Sequence, residues 1–122
     1  MDKFHYDELL EKRREWYKTI GKVYCPCLGV EVAFNSRGFK HVLYDGEGRP
    51  RSLQDRIRRL SLMPLIIPMI KYAKKIHEHR IEEGVEFISF RKYHPKREMW
   101  VTVVIKKTLS GNTTYLSIMD RK

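Results

Sequence analysis

Cysteine, long apolar runs and carboxylates are all scarce in this chain, and each shortage closes off a class of protein. The two cysteines among 122 residues are Cys25 and Cys27, with only Pro26 between them. A disulfide across so short a loop would be strained, and two thiolates do not complete a four-ligand zinc site. His77 and His79 could add ligands, but nothing in the spacing demands it. The pair reads as free, reduced thiols at a turn, which fits a cytoplasmic protein. The longest apolar run, LSLMPLIIPMI from Leu60 to Ile70, is too short to span a bilayer and is interrupted by Pro64 and Pro68. It reads as core, so no membrane partner is expected. The opening MDKFHYDELLEKRREW is charged throughout and does not read as a signal peptide. No P-loop, Rossmann glycine pattern, HExxH or carboxylate dyad occurs, so no cofactor and no metal site is expected.

Carboxylates are outnumbered, with 15 Asp and Glu against 25 Lys and Arg, for a formal charge of +10. Solubility needs far less. Such an excess repels itself in the folded state and makes sense against a polyanion, where each neutralised phosphate releases counterions. Nucleic acid is the first candidate partner. An anionic surface and an acidic protein, such as a neutralising inhibitor or antitoxin, are the others.

Length gives one domain, residues 1–122, with a hydrophobic fraction of 42% that suits a globular chain. The periodicity of Leu9, Leu10, Trp16, Tyr17 and Ile20 predicts an amphipathic helix over about Tyr6 to Ile20, stopped by Gly21. VEVAF alternates as a strand, NSRG reads as a turn and FKHVLY as a second extended piece, followed by a DGEGRP loop. Ser52 and Asp55 resemble a capping pair for a helix over Ser52 to Met63, with Leu53, Ile57, Leu60 and Met63 on one face. The two prolines then break the chain into short turns. An antiparallel meander follows, with strands over Lys71 to Arg80, Val85 to Tyr93, Met99 to Thr108 and Thr113 to Asp120. The first of these suits a helix as well. Helices first and sheet afterwards make an α+β domain, with N-terminal helices packed on one face of an antiparallel sheet of four strands or more.

Strand parity divides the sheet into two faces. Val101, Val103 and Ile105 point one way, and Trp100, Thr102, Val104 and Lys106 the other. On the last strand Leu116 and Ile118 share a face with Thr114, while Thr113, Tyr115 and Ser117 share the opposite one. The greasy faces should meet the helices. The others should form an open floor of hydroxyls, aromatics and a lysine.

Cleaving RNA without a metal needs a base for the ribose 2′-hydroxyl, an acid for the leaving oxygen, and cations for the charge that develops on phosphorus. Histidine suits the first two roles and arginine the third. His41 stands among Arg37, Lys40, Arg49, Arg51, Arg56, Arg58 and Arg59. A lone histidine in an apolar run is more often structural, and an arginine-rich helix face is usually only solvated. The same cluster would equally serve as a grip without chemistry. His77, His79 and His94 are second-line candidates for acid or base.

A strand followed by SRGFKH, a basic helix, and an antiparallel sheet ending in TTYLSI resembles the Barnase–EndoU–colicin–RelE superfamily of metal-independent ribonucleases. The similarity is greatest to its phage- and mobile-element-associated branch, and it covers about Val30 to Met119. The resemblance implies a toxin-like or mobile-element hydrolase that leaves a 2′,3′-cyclic phosphate. His41 would be its general base or acid, and Arg51 would stabilise the transition state. Tyr115 and Ser117 would complete the catalytic group, and Arg37 and Lys40 would bind phosphate. Arg56, Arg58, Arg59 and Lys106 would grip the nucleic acid, RNA before DNA. The superfamily also includes members that bind nucleic acid without cleaving it. A non-catalytic binding module or adaptor on the same fold is therefore the alternative.

Overall fold

Among the described residues, alternation and helical spacing resolve into four α-helices and one six-stranded sheet. The computed structural model describes residues 3–121, in the order α1 (Lys3–Lys18), β1 (Lys22–Cys25), β2 (Val30–Ala33), α2 (Ser36–Leu43), α3 (Leu53–Leu62), a 3-10 turn (Met63–Leu65), α4 (Ile66–Tyr72), β3 (Glu78–Glu82), β4 (Val85–His94), β5 (Met99–Lys107) and β6 (Thr113–Arg121). The strand order is β1-β2-β6-β5-β4-β3. Every pair is antiparallel except β2 with β6, which is parallel and joined by one bridge, Ala33 to Thr114. The domain is α+β, as the sequence predicts, and its six strands fall within the expected four or more, but the sheet is mixed rather than purely antiparallel. The predicted VEVAF strand is β2, and the added strand is its hairpin partner β1, KVYC, whose four-residue alternation is too short to register by itself.

The helices cover one face. Val101, Val103 and Ile105 of β5 are buried there, with Ile88 and Phe90 of β4, against Leu60, Leu62, Met63, Ile66 and Ile70. Leu60 to Ile70 is core as its composition requires. Met63, Leu65 and Pro64 wind into the 3-10 turn, and Pro68 is accommodated as the third residue of α4. There its missing N–H would have had no intrahelical partner. Helix α4 packs against β1 and also against β4 and β5, so the sheet curls around it.

Three expectations are corrected. NSRG and FKHVLY are not a turn and a strand but helix α2. Asn35 caps it, its side chain accepting from the N–H groups of Arg37 and Gly38 at 3.1 and 3.3 Å. Phe39, Val42 and Leu43 bury one stripe of it. Gly38 permits no turn here; it permits contact. A Cβ at that position would lie 2.6 Å from the Tyr115 ring, 2.6 Å from the Tyr17 hydroxyl and 2.9 Å from the Tyr115 carbonyl oxygen. Second, Lys71 to Arg80 is not one strand. Helix α4 runs on to Tyr72, and β3 begins only at Glu78.

The third correction concerns β6. Val104 pairs with Ser117 but Ile105 pairs with Tyr115, so Leu116 is an extra residue in a β-bulge. Residues directly opposite share a face. Tyr115 therefore lies with Ile105 on the helix side, and Thr114 with Lys106 on the open side, the reverse of strict alternation. Beyond the bulge the expected parity holds, with Ile118 opposite Val103 and Ser117 opposite Val104.

Candidate nucleic-acid site

Helix α2 places its polar residues by simple spacing. Arg37, Lys40 and His41 stand at i, i+3 and i+4, so they share the side of the helix away from its Phe39–Leu43 stripe. Arg37 and Lys40 are exposed and His41 is half-buried. The helix ends at Tyr44, and the DGEGRP loop turns the chain back. Asp45 organises that loop, its carboxylate accepting from the N–H groups of Glu47 and Arg49, each at 2.9 Å. Those bonds, the Arg49 one foremost, hold the Asp45 carboxyl below its usual range.

The returning chain brings Arg51 under the end of α2. Its backbone N–H donates to the Leu43 carbonyl at 2.9 Å, and its Nε donates to the His41 carbonyl at 2.8 Å. Helix carbonyls at a C-terminus lack intrahelical partners, and a guanidinium there satisfies them. Arg51 thus positions the His41 backbone.

Asp55, in the first turn of α3, gathers three guanidiniums. Arg51 Nη1, Arg58 Nη2 and Arg59 Nε lie 3.3, 2.6 and 3.4 Å from its oxygens. Burial opposes its ionisation, yet the Arg58 hydrogen bond and the charges of Arg59, Arg58 and Arg51 hold the carboxyl below its usual range. Arg59 also donates to the Ile118 carbonyl at 3.0 Å, closing the stretch of β6 that no strand covers. Arg58 reaches Asp120 at 3.3 Å. Arg56 donates to the Tyr6 hydroxyl at 3.2 Å and stands over the Tyr44 ring. The arginines of α3, read from sequence as a free grip, are largely engaged within the fold.

His41 sits amid this group. Its pKa is lowered, first by burial and then by the charges of Arg51, Arg59 and Lys106. The imidazole is thus neutral near pH 7 and able to accept a proton, with cations around it. Tyr115 is not part of an open site. It is 1% exposed, stacked on Phe34 with ring centroids 5.2 Å apart, and burial pushes its hydroxyl well above the usual tyrosine range. Ser117 lies on the open face but is nearly covered. Among the described residues no three His, Cys, Asp or Glu side chains are grouped to hold a metal ion, and no helix is long and apolar enough to cross a membrane.

The open face carries more than the sequence reading of β5 and β6 found. Register places Phe87, Ser89, Arg91 and Tyr93 of β4 beside Lys106, Val104, Thr102 and Trp100 of β5. Arg80 stands over the Phe87 ring at 4.9 Å, Arg91 over Trp100 at 4.5 Å, and Tyr93 meets Trp100 edge to face. A shallow depression of about 420 Å³ lies here, rimmed by Arg80, Arg91, Arg121 and His77. The alternation FISFRKY holds the signal for this face, through the same parity that was applied to the next two strands. Lys106 connects the two regions. It is opposite Phe87 on the sheet and adds to the field at His41. No family model, curated protein or solved structure matches the chain.

Proposed function

We propose that the protein cleaves single-stranded RNA by metal-independent transesterification, with His41 as the proton-transferring group. The observation that carries this reading is the placement of half-buried His41 on the polar side of α2 with Arg37 and Lys40, its backbone held by Arg51 at 2.8 Å; burial and the charges of Arg51, Arg59 and Lys106 favour its neutral form. In the proposed step the 2′-oxygen attacks phosphorus and its proton passes to the His41 ring. The bond to the 5′-oxygen breaks, and that oxygen takes a proton from water. A 2′,3′-cyclic phosphate remains. Lys106 would offset the charge that grows on the phosphoryl oxygens, while Arg37 and Lys40 would hold neighbouring phosphates. Arg51 acts through the His41 backbone as a positioning residue. Tyr115 supports α2 from below and takes no part in the chemistry.

A second reading, binding without cleavage, is favoured by the aromatic and guanidinium face of the sheet, which is complete without His41. Bases stack on aromatic rings and on guanidinium planes, and backbone phosphates pair with arginine. One experiment separates the two. End-labelled RNA is incubated with the protein in excess EDTA and its product ends are identified. Cleavage to cyclic phosphate, slowed about a hundredfold or more in His41→Ala with affinity retained, is the expected result. RNA that is bound but left intact would assign the protein to the binding class.

A further inference from the structure

Strand β4 is longer than its partner on one side. β3 pairs only with Val85–Ser89, whereas β5 accompanies β4 all the way to His94. The Ser89 carbonyl accepts from the His77 N–H at 2.8 Å, so Ser89 turns its backbone groups toward the β3 side. In an antiparallel sheet every second residue does the same. Arg91 and Tyr93 therefore present N–H and C=O outward, where β3 no longer reaches. The chain between Tyr72 and Glu78 passes nearby without a backbone hydrogen bond to either of them among the described residues. An edge of five residues, about 17 Å long at strand rise, is left unpaired among the described residues, with Ala73, Lys74 and Lys75 lining the same groove.

A groove of about 430 Å³ runs beside that edge. Its floor is apolar, built from Leu65, Met69 and Phe90, with Tyr72 exposed at one side. Its rim is basic, with Lys74, Lys75 and Lys92, and His94 also lines it; among the described residues no carboxylate does. The three features select one kind of occupant. Free N–H and C=O groups in alternation match another strand, since phosphate offers only acceptors and would leave the carbonyls unpaired. The apolar floor accepts alternate side chains of such a strand. The rim asks for acidic residues between them.

We propose that the Phe90–His94 edge of β4 and its groove take an extended acidic segment of a partner protein, which adds to the sheet in line with β3. This docking site lies on the other side of the sheet from the aromatic depression, and it does not depend on the RNA reading.

The test uses the intact protein and a fluorescein-labelled ten-residue peptide that alternates glutamate with valine or leucine. Binding is read by anisotropy, and the contacted amides by NMR. The expected result is saturable binding that shifts the Arg91 and Tyr93 amides. Methylating every second peptide nitrogen should weaken binding at least tenfold, because pairing is lost while charge is kept. Lys74→Glu combined with Lys75→Glu should weaken it similarly; both residues lie outside regular structure, so the fold is retained. Absence of binding, or binding that methylation leaves unchanged, would overturn the proposal. Displacement of the peptide from these amides by an oligouridylate would reassign the groove to nucleic acid. A dimer of the unliganded protein through the same amides would reassign the edge to a second copy.

Discussion

His41 is one imidazole among cations, and that sets the sign of its titration. An unstructured histidine binds its proton near pH 6.5. Burial first, and then Arg51, Arg59 and Lys106, lower that value in the folded chain. Between the folded and unfolded values the unfolded state holds more protons. Stability from this group is thus fully present above about pH 6.5 and is lost as pH falls toward the folded pKa. An NMR titration of the histidine rings is expected to give His41 a lowered pKa, and Lys106→Met should raise it part of the way back. An unshifted ring would remove the electrostatic basis of the site. The sequence held much of this. Arg37, Lys40 and His41 were legible as one cluster, and Lys106 was legible as a face-mate of Thr102. The engagement of Arg51 with the His41 carbonyl was not, because it depends on where a seven-residue return loop delivers a side chain.

At the scale of elements, α3 is held by the Asp55 group. Arg51 and Arg59 keep only 14% and 12% of their side chains exposed, so removing their shared carboxylate leaves two poorly solvated cations facing one another. Asp55→Asn is expected to cost about 2 to 4 kcal/mol by urea denaturation, approaching the range for a broken buried pair. Glu47→Gln, which loses only a contact between two exposed side chains, should change stability by about 0.5 kcal/mol or less. Loss of equal size in both variants would show that the Asp55 group is no more than surface charge. The Ser52 cap of α3 was legible from sequence, and its hydroxyl does accept from the Asp55 N–H at 3.1 Å. So were the three long strands with their turns. Helix α2 was missed because Gly38 reads locally as a turn. Only the tertiary approach of Tyr17 and Tyr115 explains why a glycine sits inside a helix. The face of Tyr115 was missed because one inserted residue, Leu116, reverses parity without any mark in composition.

For the molecule as a whole, a charge of +10 on 122 residues was the most direct statement the sequence made about a partner. If the open sheet face grips phosphates, RNA affinity should fall steeply with salt. Arg91→Ala and Arg121→Ala should each flatten the logarithmic salt slope by roughly one unit per lost contact. Slopes that match wild type would remove this face from the binding surface.

The single parallel bridge between β2 and β6 has a kinetic consequence. β4, β5 and β6 share long ladders built from neighbouring stretches of chain, whereas β1 and β2 join them through a single backbone bridge, Ala33 to Thr114, and through packing of β2 on β6 and of β1 on α4. The hairpin is thus a cooperative unit of its own, able to detach while the meander stays paired. Amide hydrogen exchange is expected to run in two classes, with Val23 and Val32 exchanging through partial opening and Val101 and Val103 only through global unfolding. Equal protection at all four valines would show that one bridge is enough to make the sheet open as a whole.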